Sequence, residues 1–428
     1  MFHTLIALGL SLSFLLSSSL ADSTPSFKDV LSSTANLSTF LNTLQNSYPD
    51  LLAQLNSLPS SSPVTILAPN NDAFAKTVYY PVVGPAFSNG DEAAIQNILI
   101  YHVVNGSHSS KDLLPTFQYF PTWLSNATFA NVTGGQRVGG VLQNGKEVIF
   151  TSGQSTRSRA LQADIAFAGG IIHIIDTLVT PPTSFPQTAE LFDTTTESFQ
   201  LTSFLGATYY SPNKTVPALA ALLNSTSDVT IFAPNNAALE VVNGALADLA
   251  KNPSALAKLL DYHIVVGNGG PWYSTNLTNA TTLTTLAGET ITITSASNSL
   301  FVNSARMLTS DLLIVNGVMH VLDNVLSPDD TSATPVPSLA TQVPVLSQAS
   351  GVKASEAPFT TFMPWNVVTI LPAAAATSGG KSGYGQGSAT TGYGAQATGT
   401  GKVGGGAGRV SAGAMGVVGM VVAAAVML

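Results

Sequence analysis

An α+β domain, present twice in tandem, is the fold class that the sequence predicts, and three observations carry it. Three blocks of residues recur in the same order in the two halves of the chain. Within each copy, short β-branched runs closed by proline alternate with segments whose apolar residues have helical spacing. Of the 428 residues, 45% are apolar, so each copy has the material for its own core.

The repeats are explicit. Thr65-Ile-Leu-Ala-Pro-Asn-Asn-Asp-Ala-Phe74 returns as Thr230-Ile-Phe-Ala-Pro-Asn-Asn-Ala-Ala-Leu239. Leu99-Ile-Tyr-His-Val-Val104 returns as Leu260-Asp-Tyr-His-Ile-Val265, and Gly170-Ile-Ile-His-Ile-Ile-Asp-Thr-Leu-Val-Thr-Pro181 as Gly317-Val-Met-His-Val-Leu-Asp-Asn-Val-Leu-Ser-Pro328. The offsets are 165, 161 and 147 residues, so the second copy is the shorter. Most of the loss falls between the last two blocks: His102 and His173 stand 71 residues apart, His263 and His320 only 57. A duplicated unit of about 150 residues has the common size of a single domain.

Each block has a local reading. Residues 65–68 and 230–233 predict short strands, ended by a proline that cannot donate to a ladder. The Asn-Asn pair that follows offers side-chain oxygens able to cap the next segment. The second block closes a helix. In copy two, Asn252 reads as its N-cap and Pro253 as its first residue, with Leu256, Leu259, Leu260 and His263 at i, i+3, i+4 and i+7. Ile95, Ile98, Leu99 and His102 repeat that spacing in copy one, so both histidines fall on an apolar helix face. The third block, a β-branched run between glycine and proline, predicts a buried strand.

The ends of the chain read as addresses. Residues 1–21 form a secretory signal: an apolar stretch from Leu5 to Leu16, shorter than the about 20 residues that span a bilayer, leads to the small-x-small site Ser19-Leu20-Ala21. Eight Asn-x-Ser/Thr sequons, at Asn36, Asn105, Asn126, Asn131, Asn213, Asn224, Asn276 and Asn279, are glycan acceptors in a secreted chain. Residues 329–413, rich in Ser, Thr, Gly and Pro, predict a stalk with too little apolar surface to fold alone. Within it, the apolar island 359–371 (Phe359, Phe362, Met363, Trp365) predicts a segment docked back on a domain, with a short binding motif as the alternative. Residues 414–428 are apolar and follow a Gly-rich spacer, the pattern of a glycosylphosphatidylinositol (GPI) anchor signal. Its attachment window holds Gly399, Gly404, Gly405 and Gly406; a retained C-terminal helix is the alternative.

Taken together, the three blocks resemble the two conserved boxes and the intervening Tyr-His motif of the fasciclin (FAS1) domain family, over about residues 25–182 and 186–328. Where the first box of copy one ends in Ala73-Phe74, copy two has Ala238-Leu239. The resemblance implies two domains, 22–182 and 183–328, each a β-sandwich-like wedge flanked by helices. It implies a structural part for the motif residues Tyr101, His102, His173, Tyr262, His263 and His320. It also implies an extracellular, often lipid-anchored chain that acts in adhesion or in matrix and wall organisation. Signal, paired domains, stalk and anchor together resemble a fungal cell-surface member of that family.

Composition narrows the chemistry. Fifteen Lys+Arg against 23 Asp+Glu give a net charge of −8, which argues against a nucleic-acid binder, since that needs a concentrated basic surface. The absence of cysteine excludes disulfides, thiolate metal sites and cysteine nucleophiles. Four of the six histidines lie in the repeats, but no HExxH accompanies them. Asp176 and Asp323 follow His173 and His320 by three residues, which on a strand puts them on the opposite face. These histidines are therefore expected to be hydrogen-bonded core residues, with no metal and no cofactor. No G-x-S-x-G elbow is present, and Gly383-Tyr-Gly-Gln-Gly387 lies in low-complexity sequence rather than between strand and helix. The expectation is a non-enzymatic adhesion or wall-organising protein at the cell surface. Its partners would be surface or matrix proteins or glycans, and the membrane through its anchor. The alternative is a membrane-anchored lumenal factor of the vacuole, acting in trafficking or fusion.

Overall fold

A computed structural model describes residues 24–193, 199–210, 218–346 and Phe359. The signal segment, the sequon at Asn213, the rest of the stalk and island, the anchor-window glycines and the C-terminal tail lie outside the described residues.

The first repeat opens with three helices, α1 (Phe27–Ser33), α2 (Ser38–Ser47) and α3 (Pro49–Asn56). Ser26 caps α1 in a reciprocal box with Asp29, and Pro49 starts α3 where a missing N–H costs nothing. The first block forms β1 (Val64–Pro69), followed by α4 (Asn71–Ala75), α5 (Val83–Asn89) and α6 (Glu92–Tyr101). Strands β2 (Val103–Asn105), β3 (Gln118–Pro121), β4 (Arg137–Gln143), β5 (Glu147–Thr151), β6 (Arg157–Phe167) and β7 (Gly170–Ile175) complete the domain.

Its sheet runs β2-β1-β7-β6-β5-β4-β3, with β1 and β7 parallel and the other neighbours antiparallel. The two edges then meet. Val104 bridges Thr122, and the Trp123 amide donates to the Val103 carbonyl at 2.8 Å, so the sheet is nearly closed. Every residue of β1 is buried because both faces are covered. Ile66 and Ala68 face the helices beside Phe40, Leu44 and Ile98; Leu67 faces the barrel interior with Tyr101, Val138 and Phe150. The glycine opening the third block has a steric cause: a Cβ on Gly170 would stand 1.9 Å from the Val64 carbonyl oxygen.

The second repeat rebuilds this plan with α7 (Phe185–Asp193), α8 (Thr202–Tyr209), α9 (Ala218–Ser225), β8 (Val229–Pro234), α10 (Asn236–Val241), α11 (Asn243–Leu249) and α12 (Pro253–Asp261). Then come β9 (Ile264–Val266), β10 (Thr282–Thr284), β11 (Thr290–Ala296), β12 (Ser299–Val302), β13 (Ala305–Ile314) and β14 (Gly317–Leu322), in the sheet order β10-β11-β12-β13-β14-β8-β9. A hydrogen bond from Leu286 N to Ile264 O, at 2.7 Å, draws its edges together. Asn252 caps α12 by accepting from the Ala255 amide, and Pro253 is its first residue, as the sequence predicts.

The two domains touch through polar groups and one aromatic pair. Tyr119 stacks on Tyr273 with ring centroids 4.7 Å apart. Asp228 accepts from the backbone N and the hydroxyl of Thr133 at 2.8 and 2.5 Å, and the buried Gln136 amide donates to Ile314 O at 3.1 Å.

Residues 331–346, expected to begin the structureless stalk, instead lie along the second domain. Arg306 donates to the carbonyls of Pro337 and Leu339 at 3.0 and 2.6 Å. Asn324 donates to Val343 O at 2.7 Å, and Asp323 accepts from the amide of Gln342, itself 4% exposed. Composition misleads because this strap has no core of its own; the domain holds it by its backbone. Phe359, from the apolar island, packs on Tyr210 at 5.3 Å and over Gly206, where a Cβ would strike the Phe359 carbonyl.

Candidate functional site

The motif residues meet at the seam between helices and barrel. Each second-block histidine follows the last turn of a helix, where orphan carbonyls remain, and both are buried. His102 Nδ1 donates to the Ile98 carbonyl at 2.7 Å, and its Nε2 accepts from the Val179 amide at 3.1 Å. His263 repeats this with Leu259 O at 2.9 Å and Leu326 N at 3.0 Å. An amide can only donate, so Nε2 carries no proton and each ring is neutral. Burial lowers both imidazoles from 6.5 to about 4, against the smaller opposing effect of the carbonyl each ring bonds. The ring thus ties the helix end to the chain that leaves the last strand.

The tyrosine beside each histidine turns into the barrel. Tyr101 donates to Arg137 O at 2.6 Å; Tyr262 donates to Thr290 O at 2.9 Å and accepts from Asn303 at the same distance. Burial raises both phenols.

The third-block histidines hold a second latch. His173 accepts at Nδ1 from the Asp164 amide at 3.3 Å and donates at Nε2 to His108 O at 2.9 Å. His320 accepts from the Asp311 amide at 3.2 Å and donates to Trp272 O at 2.9 Å. Burial is the first cause that lowers both rings. Asp164 and Asp311 sit at irregularities of the β6–β7 and β13–β14 ladders with φ of 61°, a left-handed conformation that aspartate tolerates. Their carboxylates accept from the amide and hydroxyl of Ser110 and of Ser274. Sequence reasoning missed these four residues, although each Asp stands nine residues before its histidine in both copies.

These contacts also define what the side chains are free to do. All eight ring nitrogens of the four motif histidines bond backbone groups. The hydroxyls of Ser110 and Ser274 donate to the Asp164 and Asp311 carboxylates, which the amides of the same serines also bond. Asp176 and Asp323 accept from the amides of Arg159 and Arg306 at 2.9 and 2.7 Å. Among the described residues no group of three His, Cys, Asp or Glu could hold a metal ion. Of two surface clefts, one of about 440 Å³ by Trp123 has no titratable lining residue, and one of about 680 Å³ under the strap has only Asp323.

Of the sequons, Asn36, Asn105, Asn126, Asn224, Asn276 and Asn279 are exposed. Asn131 is half-buried between the domains: its side-chain amide donates to Ser225 O at 3.0 Å and its backbone amide to Val315 O at 2.8 Å. A glycan would sit on that same side-chain nitrogen. Glycopeptide mass spectrometry is therefore expected to find Asn131 unmodified while exposed sequons carry glycans; high occupancy at Asn131 would contradict this domain contact.

Comparison with known proteins agrees in both halves. The fasciclin domain family matches residues 35–181 and 207–328. A fasciclin-like arabinogalactan protein of Arthroderma benhamiae is 32% identical over 320 residues, 75% of this chain and 71% of that protein. Fasciclin-like arabinogalactan protein CTB11 of Cercospora beticola is 32% identical over 216 residues, 49% of this chain and 52% of that one. Human periostin is 24% identical over 292 residues, 67% of this chain and 30% of periostin. Among solved structures, a FAS1 domain pair from the insect cell adhesion molecule Fasciclin I covers 70% of this chain and 99% of its own, with 18% identity and a TM-score of 0.32. Matched by the family over more than half its length, this chain belongs to the fasciclin domain family, with two tandem copies of the domain.

Proposed function

We propose that the chain is a non-catalytic adhesion and wall- or matrix-organising protein, displayed outside the cell on a stalk with a lipid anchor. The observation that carries this reading is the commitment of every motif histidine to backbone groups. The chemistry of the repeated motifs is spent on architecture, which leaves the outer faces of the domains for recognition. The fungal relatives named fasciclin-like arabinogalactan proteins support a place at the cell surface. Exposed sequons and a net charge of −8 suit a solvated, glycan-covered surface. Its partners are surface or matrix proteins and glycans. Many copies tethered to one surface raise effective concentration, so contacts of micromolar strength, about 8 kcal/mol each, hold two surfaces together.

Deleting residues 25–328 while keeping signal, stalk and tail is expected to abolish adhesion or wall integrity. Deleting only residues 414–428 is expected to release an intact protein into the medium. Normal adhesion and walls combined with failed vacuolar fusion in the first deletion would replace this reading with the lumenal trafficking one. A turnover activity that follows the purified domains would overturn both.

A further inference from the structure

The duplication allows one face to be compared in two states, covered on the second domain and, among the described residues, without a strap on the first. On the second domain, Arg306 and Asp323 grip the strap by its backbone: two carbonyls to the guanidinium and one amide to Asp323 Oδ2. At the constant offset of 147, the first domain places Arg159 and Asp176 at these positions. Their mutual geometry is the same. Arg159 N donates to Asp176 Oδ1 at 2.9 Å and Asp176 N to Arg159 O at 3.1 Å, where the second domain has 2.7 and 3.0 Å. The outward groups differ in their partners: Thr177 stands where Asn324 holds the Val343 carbonyl, Glu147 lies beside Arg159, and Lys76 Nζ donates to Asp176 O at 3.1 Å. Among the described residues, no hydrogen bond is made by the Arg159 guanidinium or by Asp176 Oδ2; the guanidinium has only ion contacts of 3.8 and 3.7 Å with Glu147 and Asp176. Leu161, counterpart of the half-covered Leu308, is 47% exposed.

We propose that this face of the first domain is a docking site for an extended, uncharged, proline-containing segment of a partner protein, bound as the second domain binds its own strap. Charge complementarity argues for that occupant. The donor and acceptor that remain on Arg159 and Asp176 are matched by a backbone carbonyl and amide, and the strap that satisfies their counterparts has no charged residue between 331 and 346. Prolines suit it, because they hold the segment extended and keep it from joining a ladder. Recognition through backbone groups accepts many Pro/Ser/Thr-rich sequences, the composition of extracellular stalks.

The test is a titration of the full-length protein with a labelled 16-residue peptide of sequence 331–346. Saturable binding with one site per chain is expected. Arg159→Ala and Asp176→Asn are each expected to weaken it about tenfold or more, the usual effect of losing a hydrogen bond to a charged group. Both side chains are partly exposed, and asparagine keeps the Oδ1 acceptor, so an unchanged melting temperature is expected for both. No binding by the native chain, or binding indifferent to Arg159→Ala and Asp176→Asn, would overturn the proposal. Dimerisation of the native chain that Asp176→Asn abolishes would replace the partner protein with a second copy of this chain.

Discussion

Replacing His263 by alanine is expected to destabilise the second domain by about 4 kcal/mol, and His102→Ala to do the same to the first. Two effects add. The substitution strands the Leu326 amide and the Leu259 carbonyl, each buried and each losing the ring nitrogen it bonds. An unsatisfied buried polar group costs about 1–3 kcal/mol. The imidazole also leaves a void beside Phe204, whose ring centroid lies 5.7 Å from its own. In a domain of this size, about 4 kcal/mol lowers the melting temperature by roughly 8–16 °C. Urea unfolding of each variant checks it. Two variants as stable as the native protein would show that the rings do not join helix to strand, and the structural reading of the Tyr-His block would fall with them.

What the sequence made legible was local. The first and third blocks carry β-branched runs bounded by proline and glycine, and they are β1, β7, β8 and β14. Asn252-Pro253 and the spacing of Leu256, Leu259, Leu260 and His263 mark α12 because capping and amphipathicity act within one helix. Even the first Asn of each Asn-Asn pair behaves as read: Asn70 and Asn235 accept from the Ala73 and Ala238 amides. The second Asn was not legible. Asn71 and Asn236 reach across more than 30 residues to accept from the Thr39 and Ser203 amides, binding the leading helices to the box. Such partners are set by tertiary approach, which leaves no local pattern. The Asp164–Ser110 latch spans 54 residues for the same reason, and the strap hides its place because the side chains that recognise it belong to the domain.

Acid is expected to destabilise both domains well before their ordinary carboxylates titrate. The sign follows from the histidines. In the unfolded chain His102 and His263 protonate near 6.5; in the folded protein burial holds them at about 4. Between these values the unfolded state binds the proton and the native state does not, so stability rises with pH. The contribution is complete above about pH 6.5 and is lost as pH falls toward 4. Each histidine supplies about 3 kcal/mol of that loss to its own domain. His173 and His320, also lowered by burial, act in the same direction. Asp261 and Asp323 oppose it, because burial raises their carboxyls and the folded state takes up their protons more readily. Carboxylates lowered by hydrogen bonds to serine, such as Asp29 and Asp112, titrate below 3.8 and stay outside the window. Urea midpoints measured from pH 7.5 to 4.5 are expected to decline steadily below pH 6.5. Histidine ring resonances of the folded protein are expected to report neutral His102 and His263 at pH 5. Flat midpoints across this range, or rings that titrate near 6.5 in the folded protein, would mean that neither imidazole is held between a carbonyl and an amide.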